Sequence, residues 1–462
     1  MFIGRERELA ALDKLYESDK FEFVVIYGRR RVGKTALISQ FIDDKNAIYF
    51  MGVESNAKQN LENFSKSILS FHTGMDAETS FLTFQAALEY VFKLSEKERI
   101  ILAIDEYPYV ARSSKSLAST IQLLIDQYKD TSKLMLILCG SSMSYMEDHV
   151  LAYKAPLYGR RTAQMKILPF DFEETCRYFK NFTDEEKAYV YGIVGGTPQY
   201  LLQMSDKLSI EDNIKNTFLN PNSALFEEPE NLLKQEVREP ALYNAIITAI
   251  ATGASRMSEI SGKVGESTNI CSAYVKNLIS LGIIEKETPY GEKASRKAIY
   301  SIADNMFRFW YRFVPANMSA IDSGRIQKSY VNTIKKNLPD YMGLTFEHMC
   351  RDYLLYYEKE LPIEQNQVGQ WWGTDNKNKK QVQIDIVGTP VEGDEYIIGS
   401  CKYRNEKIGL DELELIREYA QVFGKGKKYY YYIFSKGGFT EGLIQAQNRR
   451  EVKLIGLDDL YA

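Results

Sequence analysis

Short apolar runs alternate along the first half of the chain with stretches whose apolar residues recur every three or four positions. The runs lie at 23–27, 47–51, 100–104, 134–139 and 164–168. Strands apolar on both faces need cover on both sides. The alternation therefore predicts a parallel sheet sandwiched by helices over residues 1–165, followed by a small helical lid over 166–235. From 236 to 303 the pattern changes. Helical spacing predicts helices at 241–250, 257–264 and 270–281, the third capped by Thr268 or Asn269 and closed by Gly282. Two strands follow, at 283–287 and 298–302, joined through Thr288-Pro289-Tyr290-Gly291. Three helices and a hairpin read as a winged helix-turn-helix. Residues 304–338 open with an aromatic helical stretch, Asp304 to Val314, read as a packed connector, with a base-stacking platform as the alternative. Over 339–462 the order is a helix from about Gly343 to Tyr357, three strands (368–372, 381–387, 396–403), then helix, strand, helix, strand.

Composition narrows the class only modestly. A chain of 462 residues suggests about three domains. The net charge of −4 demands no nucleic-acid partner, though a local basic face remains compatible with it. Cys139, Cys176, Cys271, Cys350 and Cys401 form no C-x-x-C pair, which argues against a zinc site and a disulfide framework and points to reducing cytoplasm. Charges from Arg5 onward argue against an export signal, and no apolar run is long enough to span a bilayer.

The first apolar run leads into G-x-x-x-x-G-K-T, Gly28 to Thr35, and an amphipathic stretch follows. In this arrangement Gly28, Arg29, Arg30, Arg31, Val32 and Gly33 form a loop whose backbone N–H groups cradle phosphates. Lys34 neutralises β- and γ-phosphate charge, Thr35 offers a hydroxyl to Mg²⁺, and Ala36 continues the helix whose positive end faces the anion. The run at 100–104 ends in Asp105-Glu106: Asp105 as a second group for Mg²⁺, Glu106 as the residue that polarises the attacking water. The run at 134–139 ends in Gly140-Ser141-Ser142, where Ser141 is a candidate γ-phosphate sensor and a helix N-cap near Met143 is the plainer alternative. Arg160 and Arg161, in Pro-Leu-Tyr-Gly-Arg-Arg, are candidates for a transition-state arginine and are not separable by sequence. Gly195-Gly196-Thr197-Pro198 reads as a helix start with Thr197 as N-cap.

Taken together, Phe2-Ile3-Gly4-Arg5-Glu6, the phosphate loop, Asp105-Glu106-Tyr107-Pro108, Gly140-Ser141-Ser142, Pro156 to Arg161 and Gly195 to Pro198 resemble the archaeal-type P-loop ATPases of the AAA+/STAND division, in an MNS-like clade. The resemblance implies a five-stranded sheet with the strand after the phosphate loop at its edge, and ATP and Mg²⁺ as cofactors. It also implies that the segment Phe2 to Arg5, with Gly4 and Arg5, helps to hold the base. It extends to the C-terminal region as a restriction-endonuclease-like domain. There Glu347 lies on a helix, Asp385 interrupts an apolar strand, and Ser400 and Lys402 share one face of the next. An acid-x-Lys pair at the last position would hold Mg²⁺ and orient water; this chain has Ser400-Cys401-Lys402 instead, a loss of one carboxylate that weakens metal binding. Lys377, Lys379 and Lys380 form a basic hairpin tip read as close to that site.

The expectation is therefore an α/β protein: a P-loop NTPase sheet with a helical lid, a winged helix and a restriction-endonuclease-like domain. It binds and hydrolyses Mg²⁺-ATP in the cytoplasm, and its nucleotide state acts on the attached domains, with DNA as partner and a homo-oligomer compatible. The alternatives are an ATP-gated DNA nuclease, or an ATP-binding regulatory scaffold whose nuclease fold is inactive.

Overall fold

Runs such as Phe23-Val24-Val25-Ile26 cannot face water on either side, and the computed structural model, which describes residues 2–73, 79–290 and 297–461, buries them in the middle of a sheet. Five parallel strands, β1 (Glu22–Tyr27), β2 (Ala47–Met51), β3 (Ile100–Asp105), β4 (Leu134–Gly140) and β5 (Ala163–Lys166), stand in the order β2-β3-β4-β1-β5. The strand that follows the phosphate loop is thus at the edge, as the resemblance implies. The three inner strands are buried at every position, whereas β2 and β5 alternate buried or half-buried with more exposed residues. One sheet face is covered by helices Glu6–Tyr16 and Lys34–Ile42, which contribute Leu12, Leu37, Ile38 and Phe41 to the core. Helices Phe84–Leu94 and Leu117–Tyr128 also bury apolar faces, and the Phe92 and Tyr128 rings stack at 5.6 Å. Every strand ends on the same side, so Gly28, Glu106 and Ser141, each just past a C-terminal strand end, are gathered there.

The chain forms two compact units, one of residues 1–170 with Thr197–Gln199, the other of Asp171–Gly196 with Tyr200–Ala462. In the second, helices Pro240–Ala251, Met257–Val264 and Thr268–Ser280 precede a two-stranded antiparallel hairpin of β6 (Ile284–Glu287) and β7 (Ile299–Ile302). The third helix is capped one residue earlier than expected. Ser267 has the extended backbone an N-cap needs and accepts from the Ile270 N–H, leaving Thr268 as the first helical residue. Gly291, Glu292, Lys293 and Arg296 of the hairpin connection lie outside the described residues. Helix Asn305–Phe313 is capped by Asp304 and buries Met306, Phe307, Phe309, Trp310, Tyr311 and Phe313. With those rings packed away, the helix offers no exposed aromatic face for stacking bases.

The C-terminal helix starts earlier than the expected Gly343. It runs Lys336–Asp352 with Pro339 inside it, preceded by a wider π-type turn at Tyr330–Lys335 and followed by another at Tyr353–Tyr357. The widened turn lies where the proline ring would otherwise meet the carbonyl four residues back. Beside it is a mixed sheet in the order β12-β11-β10-β9-β8, from β8 (Gln365–Asp375), β9 (Lys380–Pro390), β10 (Glu395–Lys402), β11 (Lys428–Ser435) and β12 (Lys453–Gly456). The β8–β9 and β9–β10 pairs are antiparallel, the β10–β11 and β11–β12 pairs parallel. Helix Leu410–Phe423 packs Leu413, Ile416, Ala420 and Phe423 against Ile384, Ile398 and Ile433 of this sheet. Among the described residues, no helix is long and apolar enough to cross a membrane.

Candidate functional site

The phosphate loop rises from β1 and closes into helix Lys34–Ile42, with Gly33 as its N-cap at φ +88°. A side chain at Gly33 would be strained by that left-handed backbone, and a Cβ on Gly28 would sit 2.4 Å from the Ile167 carbonyl oxygen. Arg31 is itself left-handed at φ 74°. Val32 is fully buried in the core, so only its backbone is available to a ligand. Thr35 and Ala36 are exposed at the start of the helix. The Lys34 ammonium, buried to 5 % exposure, donates to the loop's own Arg29 carbonyl at 3.0 Å. Two of the loop's arginines have separate partners. Arg29 donates to the Thr197 hydroxyl at 2.6 Å and Arg30 to the Tyr109 hydroxyl at 2.9 Å. Thr197 thus accepts from the phosphate loop at the head of the short helix Pro198–Leu201.

Asp105 is the fully buried end of β3. Its Oδ2 accepts from the Thr35 hydroxyl at 2.7 Å and from Tyr49 at 3.0 Å, and its Oδ1 from the Glu106 N–H at 2.8 Å. A hydroxyl beside a carboxylate is a hard oxygen donor set of the kind Mg²⁺ prefers, so the residues fit that ion. Tyr49 was not anticipated. It lies on the half-buried edge strand, and burial together with the Asp105 charge raises the pKa of its phenol, keeping it a donor. Glu106, left-handed at φ 48°, turns its carboxylate toward β4. There Oε2 accepts from the Ser141 hydroxyl at 2.8 Å and the Ser141 N–H at 3.3 Å. Ser142 takes the N-cap position of Met143–Tyr145 without a side-chain cap bond, so Ser141 is the serine engaged in the site.

The structure places the remaining residues of this half less uniformly. Arg5, 4 % exposed, packs over the Phe170 ring and donates to the carbonyls of Val32 at 3.1 Å and Leu168 at 2.5 Å. With Gly4 and Arg5 both left-handed, the N-terminal strap is folded onto the phosphate loop itself. Arg160 is not brought to the loop. It forms a two-pronged ion pair with Asp126 at 2.9 and 2.7 Å and shares a cavity with Lys20 and Lys133. Those residues precede β1 and β4, so Arg160 sits at the end of the sheet opposite Thr35 and Asp105. Arg161 points elsewhere, over the Tyr158 ring at 5.6 Å, and its charge reaches Tyr27, the residue before Gly28.

The second unit gathers another polar cluster. The Cys401 N–H donates to Asp385 Oδ2 at 3.0 Å. Lys402 Nζ lies 4.0 Å from Asp385 and 3.2 Å from Glu412 Oε1, and the Ser400 hydroxyl donates to that same Glu412 oxygen at 2.6 Å. Glu412 was missed by the sequence reading. Its signal was a carboxylate one turn before Ile416, on the apolar side of a helix. Glu347 lies nearby, its pKa pushed up to about 7 by burial and by Asp385, and it pairs with Arg351 at 3.3 Å. Arg351 also holds Glu287 of β6 at 2.7 Å, and Glu287 accepts from Gln370. The lysine tip is not close to this site: Lys380 is five residues along β9 from Asp385, about 17 Å in an extended strand. Among the described residues, no three His, Cys, Asp or Glu side chains converge to hold a metal by themselves.

Asp352, next to Arg351, is pushed up to about 7 by burial and then by Asp171, from an ordinary 3.8. Folding therefore takes up a proton between those values, and stability falls as pH rises through that window. Asp352→Asn is expected to flatten this decline, measured as melting temperature from about pH 4.5 to about pH 8.

Residues 2–204 match the family described as an ATPase domain predominantly from Archaea, and residues 310–414 a family described as archaeal and bacterial proteins of unknown function. The uncharacterised protein MJECL04 of Methanocaldococcus jannaschii is 32% identical over 439 residues, which is 92% of this chain and 96% of that protein. A shorter stretch of 45 residues, 10% of this chain, is 44% identical to the uncharacterised ATP-binding protein MJ0423 of the same organism and covers 76% of it. Among solved structures, the Walker-type ATPase PABY2304 of Pyrococcus abyssi shares the fold, with a TM-score of 0.52 and 20% identity over 67% of this chain and 96% of that one. The chain therefore belongs to the same family as MJECL04, and its N-terminal part is a P-loop ATPase domain of the archaeal type.

Proposed function

We propose that the protein is a Mg²⁺-dependent ATP hydrolase whose nucleotide state is passed to a winged helix and a restriction-endonuclease-like domain acting on DNA. The observation that carries the reading is the pairing at the strand ends of Thr35 with Asp105 and of Glu106 with Ser141, next to the loop Gly28 to Lys34. The amides around Gly33 and the Lys34 ammonium bind the triphosphate, and Lys34 exchanges its Arg29 carbonyl for phosphate oxygens. Thr35 and Asp105 hold magnesium, which when bound offsets charge on the phosphates. Glu106, released from Ser141, orients the water and receives its proton. Ser141 then has its hydroxyl free for the γ-phosphate. Of the two arginines, Arg161 is the candidate within this chain, since its charge is felt at Tyr27, the residue before Gly28. Arg160 has a catalytic role only toward a neighbouring copy in an oligomer.

Coupling to the other domains runs through Thr197. Its segment groups with the ATPase unit while the residues on both sides belong to the second unit, and its hydroxyl receives the loop's Arg29. The proposed division is 1–165 core, 166–235 lid, 236–303 winged helix, 304–338 connector and 339–462 nuclease-like domain, with Glu347, Asp385, Ser400 and Lys402 as that last domain's polar centre. In this reading DNA meets the exposed side of helix Thr268–Ser280, which offers Ser272, Ala273 and Lys276. Phosphate release from Mg²⁺-ATP, with and without duplex DNA, tests the whole. Turnover is expected in the wild type, rising with DNA, and none in Lys34→Ala. Equal rates in both proteins would remove the assignment.

A further inference from the structure

The edge strand β2 pairs with β3 in a register that sets Tyr49 beside Ala103, and Ala103 shares a face of β3 with Asp105, two residues on. Alanine leaves room at that step. The Tyr49 ring packs against the core that contains Ala103, and its hydroxyl reaches the carboxylate beyond, donating to Asp105 Oδ2 at 3.0 Å. The strand is fixed at the same place by the Gly52 N–H, which donates to the Asp105 carbonyl at 2.8 Å. Asp105 is wholly buried, and donors from three elements hold its carboxylate. The Glu106 N–H takes Oδ1, while the Thr35 and Tyr49 hydroxyls share Oδ2. A hydroxyl carries one proton and two lone pairs. With its proton committed to Asp105, Thr35 turns its lone pairs away from that carboxylate, free for a hard cation. Where they point is set by where Oδ2 stands. Of the two donors on Oδ2, Tyr49 is the one with no duty toward the ion.

Resting on the reading of Thr35 and Asp105 as the pair that holds magnesium, we infer that Tyr49 is a positioning residue through which the edge strand sets the metal affinity of the ATPase domain. It acts through Asp105. The Tyr49 O–H holds Oδ2, Oδ2 holds the Thr35 proton, and the Thr35 oxygen is aimed in consequence. Partners that orient a metal-holding carboxylate typically govern metal affinity by a factor of about ten to a hundred. The same geometry limits the effect. Tyr49 bonds neither the phosphate loop nor Lys34, whose ammonium lies on the Arg29 carbonyl, so nucleotide binding without metal does not depend on it. Glu106 turns its carboxylate to Ser141 and not to Tyr49, so the rate at saturating magnesium does not depend on it either.

The test uses the full chain with the imido analogue of ATP, which is hydrolysed slowly, and Mn²⁺ as probe. Binding of Mn²⁺ is followed by the electron paramagnetic resonance of the free ion, and analogue affinity is measured separately in chelator. Tyr49→Phe keeps the ring and removes only the donor. It is expected to weaken Mn²⁺ binding about tenfold and to leave analogue affinity in chelator at the wild-type value. The Mg²⁺ concentration giving half-maximal phosphate release is expected to rise by the same factor, with the maximal rate within about twofold of wild type. In an Asp105→Asn background, Tyr49→Phe is expected to add no further loss of metal binding, since the carboxylate through which it acts is gone. Tyr49→Leu, a second residue without a hydroxyl, is expected to shift metal binding as phenylalanine does, and it serves where the phenylalanine variant does not fold. A shift in Tyr49→Leu alone would assign the effect to ring packing and overturn the role of the hydroxyl. So would wild-type Mn²⁺ binding in Tyr49→Phe, or an equal loss of metal-free analogue affinity; loss of metal binding in Asp105→Asn beside either result leaves the reading of the magnesium pair standing. A wild-type protein that takes up no Mn²⁺ with the analogue overturns both.

Discussion

Glu106→Gln is expected to lower ATP turnover by about two to four orders of magnitude while leaving nucleotide binding near wild type, the signature of losing a general base rather than a binding group. The geometry explains the split. Glu106 makes its side-chain bonds to Ser141, on the neighbouring strand end, and none to the phosphate loop. Glutamine has the same shape and can still meet Ser141, but it has no oxygen able to accept a proton from water. Single-turnover phosphate release, set beside titration with a fluorescent ATP analogue, separates the two quantities. Equal loss of turnover and affinity would mean that Glu106 shapes the pocket and does not act on water. Ser141→Ala provides the complementary comparison: it frees the carboxylate without neutralising it, so its effect on turnover is expected to be smaller than that of Glu106→Gln.

The second large effect belongs to stability. Arg351 is 9 % exposed and stands between Glu287 on β6 and Glu347 one turn before it. Removing it leaves two carboxylates facing one another with little solvent, the situation in which breaking a buried ion pair costs about 3–5 kcal/mol. Arg351→Met keeps most of the volume and should show that loss as a lower urea midpoint for the second unit. Adding Glu287→Gln and Glu347→Gln removes the stranded charges and is expected to recover most of it, since an apolar or neutral replacement of a whole buried cluster is often close to neutral. A single Arg351→Met variant as stable as wild type would show that water reaches the pair and screens it.

Much of the first unit was legible because its signals are local. The glycines, Lys34 and Thr35 follow one another in the chain, and Asp105-Glu106 directly ends an apolar run, so spacing alone places them at strand tips. The helices and hairpin at 240–302 were legible for the same reason, their apolar periods being uninterrupted. What failed was geometry between segments. Arg160 and Arg161 are adjacent in sequence, yet one is drawn to Asp126 at the far end of the sheet and the other over Tyr158, a divergence set by partners more than thirty residues away for Arg160. Lys377, Lys379 and Lys380 are near Asp385 in the chain, but at least five residues of extended strand separate them from it. The C-terminal helix was expected from about Gly343, yet it begins at Lys336 with Pro339 inside it, a widened turn before it giving the proline ring room.

The sequence by itself determined that a triphosphate-binding loop sits between a buried strand and a helix, that a carboxylate pair ends a second buried strand, and that a mixed α/β region closes the chain. These are properties of neighbours along the backbone, where steric limits and hydrophobic period act directly. Only the tertiary structure decided which carboxylates and cations meet: Tyr49 with Asp105, Ser141 with Glu106, Arg351 with Glu287, and Glu412 with Ser400 and Lys402. Each of these joins residues from different elements. Their encounter follows from strand order and helix packing, which arise from the burial of many apolar side chains at once and are written in no single stretch of residues.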